Sequence, residues 1–252
     1  MLLQEKNAVV YGGGGAIGGA VARGFAREGA TVHLVGRTRP ALDKVADDIR
    51  SAGGAAEVAE FDAFDEAAVD AHARAVAEGF GSLDVSFNVV SHPEKFGTPV
   101  VEMDYADFER DVTGRLRAMW LTAKAAAPHM TRQGSGVLLT FGGYGDPMAN
   151  HGGFQVAFGA VEALRRTLAR ELGPHGIRVL TLQTGGVPES IGDELPEKTR
   201  KAITTSIEER TMLGRAATLA DVANAAVFAA SDWSRALTGT KLNLTAGAVV
   251  DY

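Results

Sequence analysis

Strand-like segments alternate with helical segments along the whole chain, and this alternation limits the possible folds more than any other feature. Apolar and β-branched runs predict strands at residues 7–12, 31–36, 55–61, 83–90, 136–141, 177–183 and 241–245. Helical periodicity and breaker residues predict helices at residues 17–28, 41–51, 66–79, 104–131, 154–173 and 218–231. Strands that alternate with helices form parallel sheets covered on both faces. The sequence therefore predicts a doubly wound α/β fold with a mostly parallel sheet of seven strands.

The length and composition are compatible with one domain. The chain has 252 residues, 46% of them hydrophobic, and no linker or repeat divides it, so a single domain is predicted over residues 1–252. Residues 187–214 differ because they are polar and charged and contain Pro188 and Pro196. They follow the sixth strand at the carboxyl edge of the sheet, where ligands bind. We predict that they form a substrate lid, with a solvated helical hairpin as the alternative.

The charge and the residue types exclude several classes of function. The net charge of −6 without a Lys/Arg cluster argues against a nucleic-acid partner. The absence of cysteine excludes disulfides and thiolate metal sites, and the scattered histidines predict no metal centre. The chain shows no signal-peptide pattern and no apolar run that would span a bilayer. We therefore predict a cytoplasmic protein that binds no membrane.

A glycine-rich turn follows the first predicted strand. Residues 12–19 read GGGGAIGG and contain the spacing G-x-G-x-x-G. Glycines let the backbone turn tightly against a pyrophosphate, and the following helix presents its N-terminal amides to the phosphates. Because the motif lies between a strand and a helix in the first βαβ unit, it predicts a Rossmann-type dinucleotide site. The predicted cofactor-binding residues of this turn are Gly12, Gly13, Gly15, Ile17 and Gly18.

The end of the second strand indicates which dinucleotide is bound. Sites for NAD usually place an acid there to bond the ribose hydroxyls, but this chain has Arg37, with Arg39 two residues further on. A guanidinium suits a 2′-phosphate. The sequence thus favours NADP(H) as the cofactor, with NAD(H) as the second candidate. The alternative for Arg37 itself is an ordinary surface arginine.

These features together resemble the short-chain dehydrogenase/reductase family, and the resemblance covers nearly the whole chain. The family motif T-G-x-x-x-G-x-G matches residues 11–18 with Tyr and Ala substituted, and ELGPHGIRV at 171–179 looks like the approach to the family's sixth strand. The resemblance implies an adenine contact from Asp62 and a cofactor-side role for Asn88, the first residue of the family's N-N-A-G segment. It also implies that Gly185 stands at the glycine of the family's P-G pair.

The resemblance fails at the residues that carry the family's chemistry, which are Asn, Ser, Tyr and Lys. Aligning the helix at 154–173 places Phe154 at the tyrosine position and Phe158 at the lysine position. The serine position falls on Gly142 or Gly143, and the asparagine position falls near Arg115. Phenylalanine can neither donate a proton nor bond a ribose hydroxyl. The usual Tyr/Lys carbonyl reduction is therefore not expected in this chain.

Other polar residues near this position are candidates for the proton transfer. Enoyl reductases of the same family place their tyrosine seven residues before the lysine, and counting back from Phe158 by that spacing gives His151. Histidine can donate a proton near neutral pH. Tyr144 directly follows the glycines at the serine position. A surface histidine and a buried loop tyrosine are the respective alternatives.

The predicted substrate pocket lies beside these candidates. It consists of His92, which follows the fourth strand, together with Gly143, Phe154 and Phe158. The interpretation that follows from the resemblance is an atypical NADP(H)-dependent oxidoreductase that reduces C=C or C=O bonds of a small molecule in a rebuilt active site. The alternative is a cofactor-binding homologue without redox turnover, with a regulatory or non-redox catalytic role.

The resemblance also implies a homo-oligomer, either a tetramer or a dimer. Family members usually pair their two longest helices across a dimer axis, and here those are the helices predicted at 104–131 and 154–173. Small residues on these helices would allow close approach of the partner. They are Ala123, Ala125, Ala126, Ala157 and Ala160.

Overall fold

A computed structural model describes residues 1–142 and 148–250 and contains one sheet of seven parallel strands. The strand order is β3-β2-β1-β4-β5-β6-β7. The strands are β1 (Asn7–Tyr11), β2 (Thr31–Gly36), β3 (Ala55–Glu60), β4 (Val85–Asn88), β5 (Gly136–Gly142), β6 (Ile177–Gln183) and β7 (Thr240–Asn243). The sequence prediction of a doubly wound parallel sheet is confirmed.

Seven α-helices cover the two faces of the sheet in the described part of the chain. They are α1 (Ala16–Arg27), α2 (Arg39–Ser51), α3 (Glu66–Gly79), α4 (Tyr105–Gln133), α5 (Gly152–Leu172), α6 (Glu197–Glu208) and α7 (Leu219–Ala230). Six of them lie where helical periodicity predicts them. The exception is α6, in which only Ile207 is buried, so its sequence shows little of the apolar periodicity of a packed helix.

Alternating side chains of β1 form the two layers of the core. Ala8 and Val10 face one layer, where they pack among residues of α1, α2 and α7. Val9 and Tyr11 face the other layer, among residues of α3 and α4. Because successive side chains of a strand point to opposite faces, a central strand buried on both sides must be apolar throughout. The run of five buried residues in β1 meets this requirement.

The strand order reverses between β1 and β4, which are neighbours in the sheet although two strands separate them in sequence. The helices after β1 and β4 therefore leave toward opposite faces and open a crevice at the carboxyl edge. Gly12 has φ 90°, and a Cβ on Gly18 would lie 2.1 Å from the Gly12 carbonyl oxygen. Any residue other than glycine at position 18 would clash with this oxygen, so glycine is required for α1 to start this close to the strand.

The segment 187–214 contains a short 3-10 turn, Pro188–Ser190, and the single helix α6. The helical hairpin considered as an alternative is therefore not formed. Ile207 of α6 packs beneath Gly186. A Cβ added to Gly186 would lie 2.6 Å from Cδ1 of Ile207. After α6, the amides of Met212 and Leu213 donate to the carbonyl of Ala246. The segment is thus attached to the body at both of its ends.

Four of the five alanines expected at an oligomer contact lie inside the subunit. Ala123, Ala125, Ala126 and Ala157 are buried within the single chain. Their small side chains allow α4 and α5 to pack closely against each other and against the sheet. The large hydrophobic side chains of these two helices that are exposed are Tyr105, Trp120 and Val156. Among residues 1–142 and 148–250, no helix is both long and apolar enough to cross a membrane.

Candidate active site

A cavity of about 310 Å³ opens at the carboxyl edge where the strand order reverses. Its walls come from the turns that follow the first four strands. The lining residues that concern ligand binding are Gly12, Gly14, Gly15, Arg37, Thr38, Asp62, Val90 and Ser91. This is the crevice in which open α/β sheets bind their ligands.

The glycine-rich turn divides into residues that line the cavity and residues that support it. Gly12, Gly14 and Gly15 line the cavity. Gly13 lies beneath, where a Cβ would come within 2.9 Å of the Leu34 side chain, and Ile17 packs against the core. The sequence analysis missed Gly14, because the G-x-G-x-x-G spacing leaves it as a variable position.

The amino end of α1 faces the same cavity. Its N-cap is Gly15, which has no side chain to cap the helix, and the first turn, fully described, contains no acidic residue. The first amides of a helix have no partner within the helix, and the dipole places partial positive charge there. This end of α1 is therefore suited to bind a phosphate group.

Arg37 and Asp62 face each other across the cavity entrance. Arg37 Nη1 lies 3.8 Å from Asp62 Oδ2, and both side chains are largely exposed. Asp62 Oδ1 also accepts a hydrogen bond from the Phe64 amide at 3.0 Å, which fixes the turn after β3. Arg39 behaves differently, since it pairs with Asp43 within α2 and does not line the cavity. Of the two arginines in this region, only Arg37 is therefore available to a ligand in the cavity.

Thr38 also lines the cavity, and the sequence analysis did not select it. It is the N-cap of α2, but its hydroxyl makes no capping hydrogen bond. A threonine directly before a helix normally caps that helix. The hydroxyl is thus a further polar group beside Arg37, at a position where the sequence alone indicates only a helix start.

Asn88 and Gly185 support the site without lining this cavity. The Asn88 amide donates to the Thr122 hydroxyl at 3.0 Å, and its oxygen accepts from the Val90 amide at 3.1 Å. Asn88 therefore ties the turn after β4 to α4. Gly185 follows β6, and a Cβ there would lie 3.4 Å from the side chain of Ala248.

The positions predicted to hold the rebuilt chemistry come together on α4 and α5. The rings of Phe154 and Phe158 meet edge to face with centroids 4.6 Å apart. The Arg115 guanidinium lies 5.3 Å from the Phe154 centroid and 4.5 Å from the Phe158 centroid. A guanidinium over an aromatic face is attracted by the negative charge of the ring face. The three residues thus form one cluster.

Glu94 completes this cluster, and the sequence analysis missed it. Its Oε1 accepts from Arg115 Nε at 3.0 Å and from Nη2 at 2.6 Å. The side chains are 8% and 16% exposed, so the pair is well shielded from water. Glu94 lies in an irregular loop without periodicity, and only the position of that loop against α4 brings it to Arg115.

A network of charged residues holds this loop on α4. The Lys95 amide donates to Asp111, and the Lys95 ammonium donates to Asp107. Arg110 also donates to Asp107, and these hydrogen bonds lower the pKa of the Asp107 carboxyl. The loop that carries Glu94 is therefore anchored by the neighbouring residue.

The histidines occupy different positions around the aromatic pair. His151 lies at the amino end of α5, with its ring centroid 6.2 Å from that of Phe154. Its Nδ1 is 2.9 Å from the Ala149 carbonyl, so in the neutral form Nδ1 carries the proton and Nε2 is an acceptor. His92 packs against Gly114, and neither of its ring nitrogens has a hydrogen-bond partner in the described structure.

Two predicted site residues, Gly143 and Tyr144, lie outside the described residues. Gly142, the other candidate for the serine position, ends β5. Within residues 1–142 and 148–250, no three His, Cys, Asp or Glu side chains form a group that could hold a metal ion.

Known proteins match this chain over almost its full length. The family model described as enoyl-(acyl carrier protein) reductase matches residues 14–248. The short-chain reductase protein NovJ of Streptomyces niveus is 32% identical over 97% of this chain and 94% of the relative. The 3alpha-hydroxysteroid dehydrogenase of Mediterraneibacter gnavus is 31% identical over 98% of both chains.

A solved structure gives the same result. It is a chain from Beutenbergia cavernae assigned as an NAD(P)-dependent gluconate 5-dehydrogenase, with NADP bound at low occupancy. It is 30% identical with a TM-score of 0.85, and the match covers 98% of this chain and 97% of that one. The chain therefore belongs to the short-chain dehydrogenase/reductase family of oxidoreductases.

Proposed function

We propose that this protein is an NADP(H)-dependent oxidoreductase that reduces a C=C or C=O bond of a small molecule with a rebuilt active site. The cavity at the reversal of strand order carries this proposal, because it combines the glycine turn, an uncapped helix end and Arg37. The NADP bound by the Beutenbergia cavernae relative supports the choice of cofactor.

The residues of the cavity fit such a cofactor. Gly12, Gly14 and Gly15 present backbone without side chains, and the amino end of α1 would hold the pyrophosphate. Arg37 and the Thr38 hydroxyl would bond the 2′-phosphate, and Asp62 would contact the adenine side. When bound, the nicotinamide supplies the hydride. The remaining chemistry of the reduction depends on residues of this chain.

Arg115 is suited to stabilise negative charge on a substrate oxygen. Its guanidinium is permanently charged, and the pairing with Glu94 uses only Nε and Nη2. Phe154 and Phe158 exclude water from one side of it, and this exclusion strengthens the electrostatic interaction. A conjugated C=C bond suits such a site well, because the hydride goes to carbon and the oxygen needs only a donor. We therefore place an enone-type carbonyl first among the substrate classes.

His151 is the proposed proton donor. The contact between Nδ1 and the Ala149 carbonyl orients the ring and leaves Nε2 to carry the exchangeable proton of the imidazolium form. Phe154 beside it supplies an apolar wall and no proton. Tyr144, which lies outside the described residues, is the second proposed donor.

The proposal is tested by titrating the protein with NADPH and NADH while the fluorescence is recorded, followed by a panel of ketones and α,β-unsaturated carbonyl compounds. We expect NADPH to bind with affinity in the micromolar range and more tightly than NADH, and at least one unsaturated substrate to be reduced. Equal, weak binding of both cofactors would contradict the assignment of Arg37. Tight NADPH binding with no turnover on either panel would instead favour the second candidate.

That second candidate is a cofactor-binding protein without redox turnover. It is favoured by the two phenylalanines, which carry no exchangeable proton, and by the shielded Glu94–Arg115 pair above them. Such a protein would have a regulatory role or a non-redox activity. The two candidates share the cofactor cavity and differ only in what the cluster on α4 and α5 does.

We also propose that residues 187–214 act as a lid and that the protein works as a homo-oligomer in the cytoplasm. Two contacts of the segment with the body support the lid: Ile207 packs against Gly186, and the amides of Met212 and Leu213 donate to Ala246. The side chains of Met212 and Leu213 are exposed to solvent. Slower proteolysis of this segment with NADPH bound would support it further. For assembly, the exposed Trp120 and Val156 are the candidate contacts. A monomer by light scattering at micromolar concentration would exclude the oligomer.

A further inference from the structure

A second cavity, of about 250 Å³, lies between α5 and the strands β5, β6 and β7, and the proposed reaction does not use it. Polar side chains of α5 form one wall, and side chains of β6 and β7 form the other. The polar residues that concern the argument are Gln155, Glu162, Arg165, Arg166, Gln183 and Lys241. Phe158 also lines this cavity, which therefore adjoins the cluster described above, whereas Arg115 and Glu94 do not line it.

Within residues 1–142 and 148–250, three buried polar atoms of this cavity have no hydrogen-bond partner. Arg165 is 4% exposed, and its Nη1 is buried and unpartnered. Gln183 is 1% exposed, and its Oε1 is likewise unpartnered, as is Nε2 of Gln155. Buried polar groups are almost always hydrogen-bonded, and leaving one unbonded costs free energy. Three such atoms around one cavity therefore indicate a bound polar group.

The charges of the cavity select an anion. Glu162 is already engaged, since Oε2 accepts from Arg165 Nε and Nη2 and Oε1 accepts from the Thr181 hydroxyl at 2.6 Å. Against this one carboxylate stand Arg165 and Arg166, a net formal charge of +1. Either glutamine amide can be turned to present its NH₂ group. Arg165, Gln155 and Gln183 can thus all donate hydrogen bonds to one ligand.

We propose that this cavity is a binding site for a small carboxylate. The two oxygens of a carboxylate would accept hydrogen bonds from Arg165 Nη1 and the two amides, while the exposed Arg166 supplies positive charge. At about 30 Å³ per water molecule, the cavity has room for roughly eight waters, which suits a short dicarboxylate. The site lies beside α5 and β6, apart from the cofactor cavity.

Calorimetric titration of the full chain with succinate, in the presence of saturating NADPH, tests this proposal. Succinamide serves as the uncharged control of the same shape, and inorganic phosphate as the competing oxyanion. We expect succinate to bind with millimolar or better affinity and succinamide not to bind. No binding of succinate, or binding of phosphate alone, would overturn the carboxylate assignment.

Variants locate the binding. Gln183→Leu and Arg166→Gln should each weaken succinate binding at least fivefold. Arg170→Gln, at an exposed arginine of α5 that does not line the cavity, should leave it unchanged. Arg165→Gln should abolish it. Because that change also leaves Glu162 without its main partner, Gln183→Leu decides the matter if Arg165→Gln does not fold. The proposal would be refuted if succinate binding were unchanged in both Gln183→Leu and Arg166→Gln. It would also be refuted if a crystal structure grown with succinate showed only water, or side chains of a second copy, in the cavity.

Discussion

The cofactor cavity (the cofactor end) and the cluster on α4 and α5 (the side-chain end) are built differently. The cofactor end consists mainly of backbone, with glycines in the turn and the exposed pair Arg37 and Asp62 at the entrance. The other end consists of side chains, with two phenyl rings beneath the shielded Glu94–Arg115 pair. A backbone site needs only the right glycines and the right turn, whereas the fold does not dictate which side chains enter the other end.

The largest expected effect concerns His151, the proposed proton donor beside Phe154. His151→Ala should lower the kcat of the reduction by about 10²- to 10⁴-fold, the usual contribution of a general acid. The affinity for NADPH, measured by fluorescence titration, should stay unchanged because the cofactor end is built elsewhere. His175→Ala, at an exposed histidine beyond α5, is the matched control. If reduction survives His151→Ala, the proton comes from another group.

Arg115 is expected to contribute somewhat less. Arg115→Leu should lower kcat by about 10²- to 10³-fold, as observed when one donor to an oxyanion is removed. Because this change leaves Glu94 buried without its partner, the double variant Arg115→Leu with Glu94→Leu is the control for folding. Arg115→Lys keeps the charge and should retain part of the rate. Unchanged kcat in a folded double variant would show that the pair is only structural.

At the cofactor end, the charge reversal Arg37→Asp should lower NADPH affinity about 100-fold and reverse the preference toward NADH, because a carboxylate repels the 2′-phosphate and bonds ribose hydroxyls. The measurement is the ratio of the two dissociation constants. Arg39→Asp is the matched control, since Arg39 pairs with Asp43 outside the cavity. Equal effects of both variants would mean that only the overall charge matters.

Acid should lower the stability of the folded protein through two buried histidines near the cofactor end. Burial lowers the pKa of His33 in β2 to about 4, and that of His72 in α3 to about 4 as well, from 6.5. Both side chains are neutral in the folded protein, whereas in the unfolded chain they take up a proton below about pH 6.5. Their contribution to the free energy of unfolding is therefore complete above about pH 6.5 and is lost as the pH falls toward 4. At pH 5, each of the two histidines should lower the free energy of unfolding by about 2 kcal/mol relative to its value at pH 7.

Urea unfolding at pH 7 and pH 5 measures this loss. The double variant His33→Gln with His72→Gln should show a smaller difference between the two pH values, and His175→Gln should not. If the double variant is as sensitive to acid as the parent, other groups are responsible. In that case the loss of stability in acid would not report on β2, the strand that precedes Arg37.

The smallest expected effect is the restoration of one family residue. Phe154→Tyr alone should leave ketone reduction at background, because burial raises the pKa of a phenol and no lysine lowers it. Phe158→Lys alone would place an ammonium beside the Arg115 guanidinium, which now lies 4.5 Å from that ring. The combined variant should therefore carry Arg115→Asn, at the family's asparagine position, together with Phe154→Tyr, Phe158→Lys and Gly143→Ser. Only the combination should reduce a simple ketone, and activity in Phe154→Tyr alone would refute this.

The position of the cofactor cavity at the carboxyl edge of the sheet could be predicted from the sequence. The glycine turn, Arg37 and Asp62 are local features next to strands, and each lies at the predicted crevice. Which residues line the cavity could not be predicted: Thr38 lines it, and the predicted residues that do not line it are Gly13, Ile17, Gly18, Asn88 and Gly185. Whether a residue of a turn faces the crevice or the core depends on packing against Leu34 and α1, which a motif does not contain.

The alanines of α4 and α5 show the same limit. Their small size indicated close helix packing, and the packing is real, but it occurs within the subunit for Ala123, Ala125, Ala126 and Ala157. A residue type reports that a close contact is possible there and not which surface makes it. The direction of each side chain is decided only when the helix is placed on the sheet.

The sequence by itself determined the doubly wound sheet, the position of the glycine turn and the absence of tyrosine and lysine at positions 154 and 158. These depend on periodicity and on local backbone requirements, which are written along the chain. Only the tertiary structure joined Glu94 to Arg115 over the two phenyl rings and brought Arg165 and Gln183 to one cavity. Such contacts join residues distant in sequence, and they form only because the packed helices and strands exclude water from the space between them.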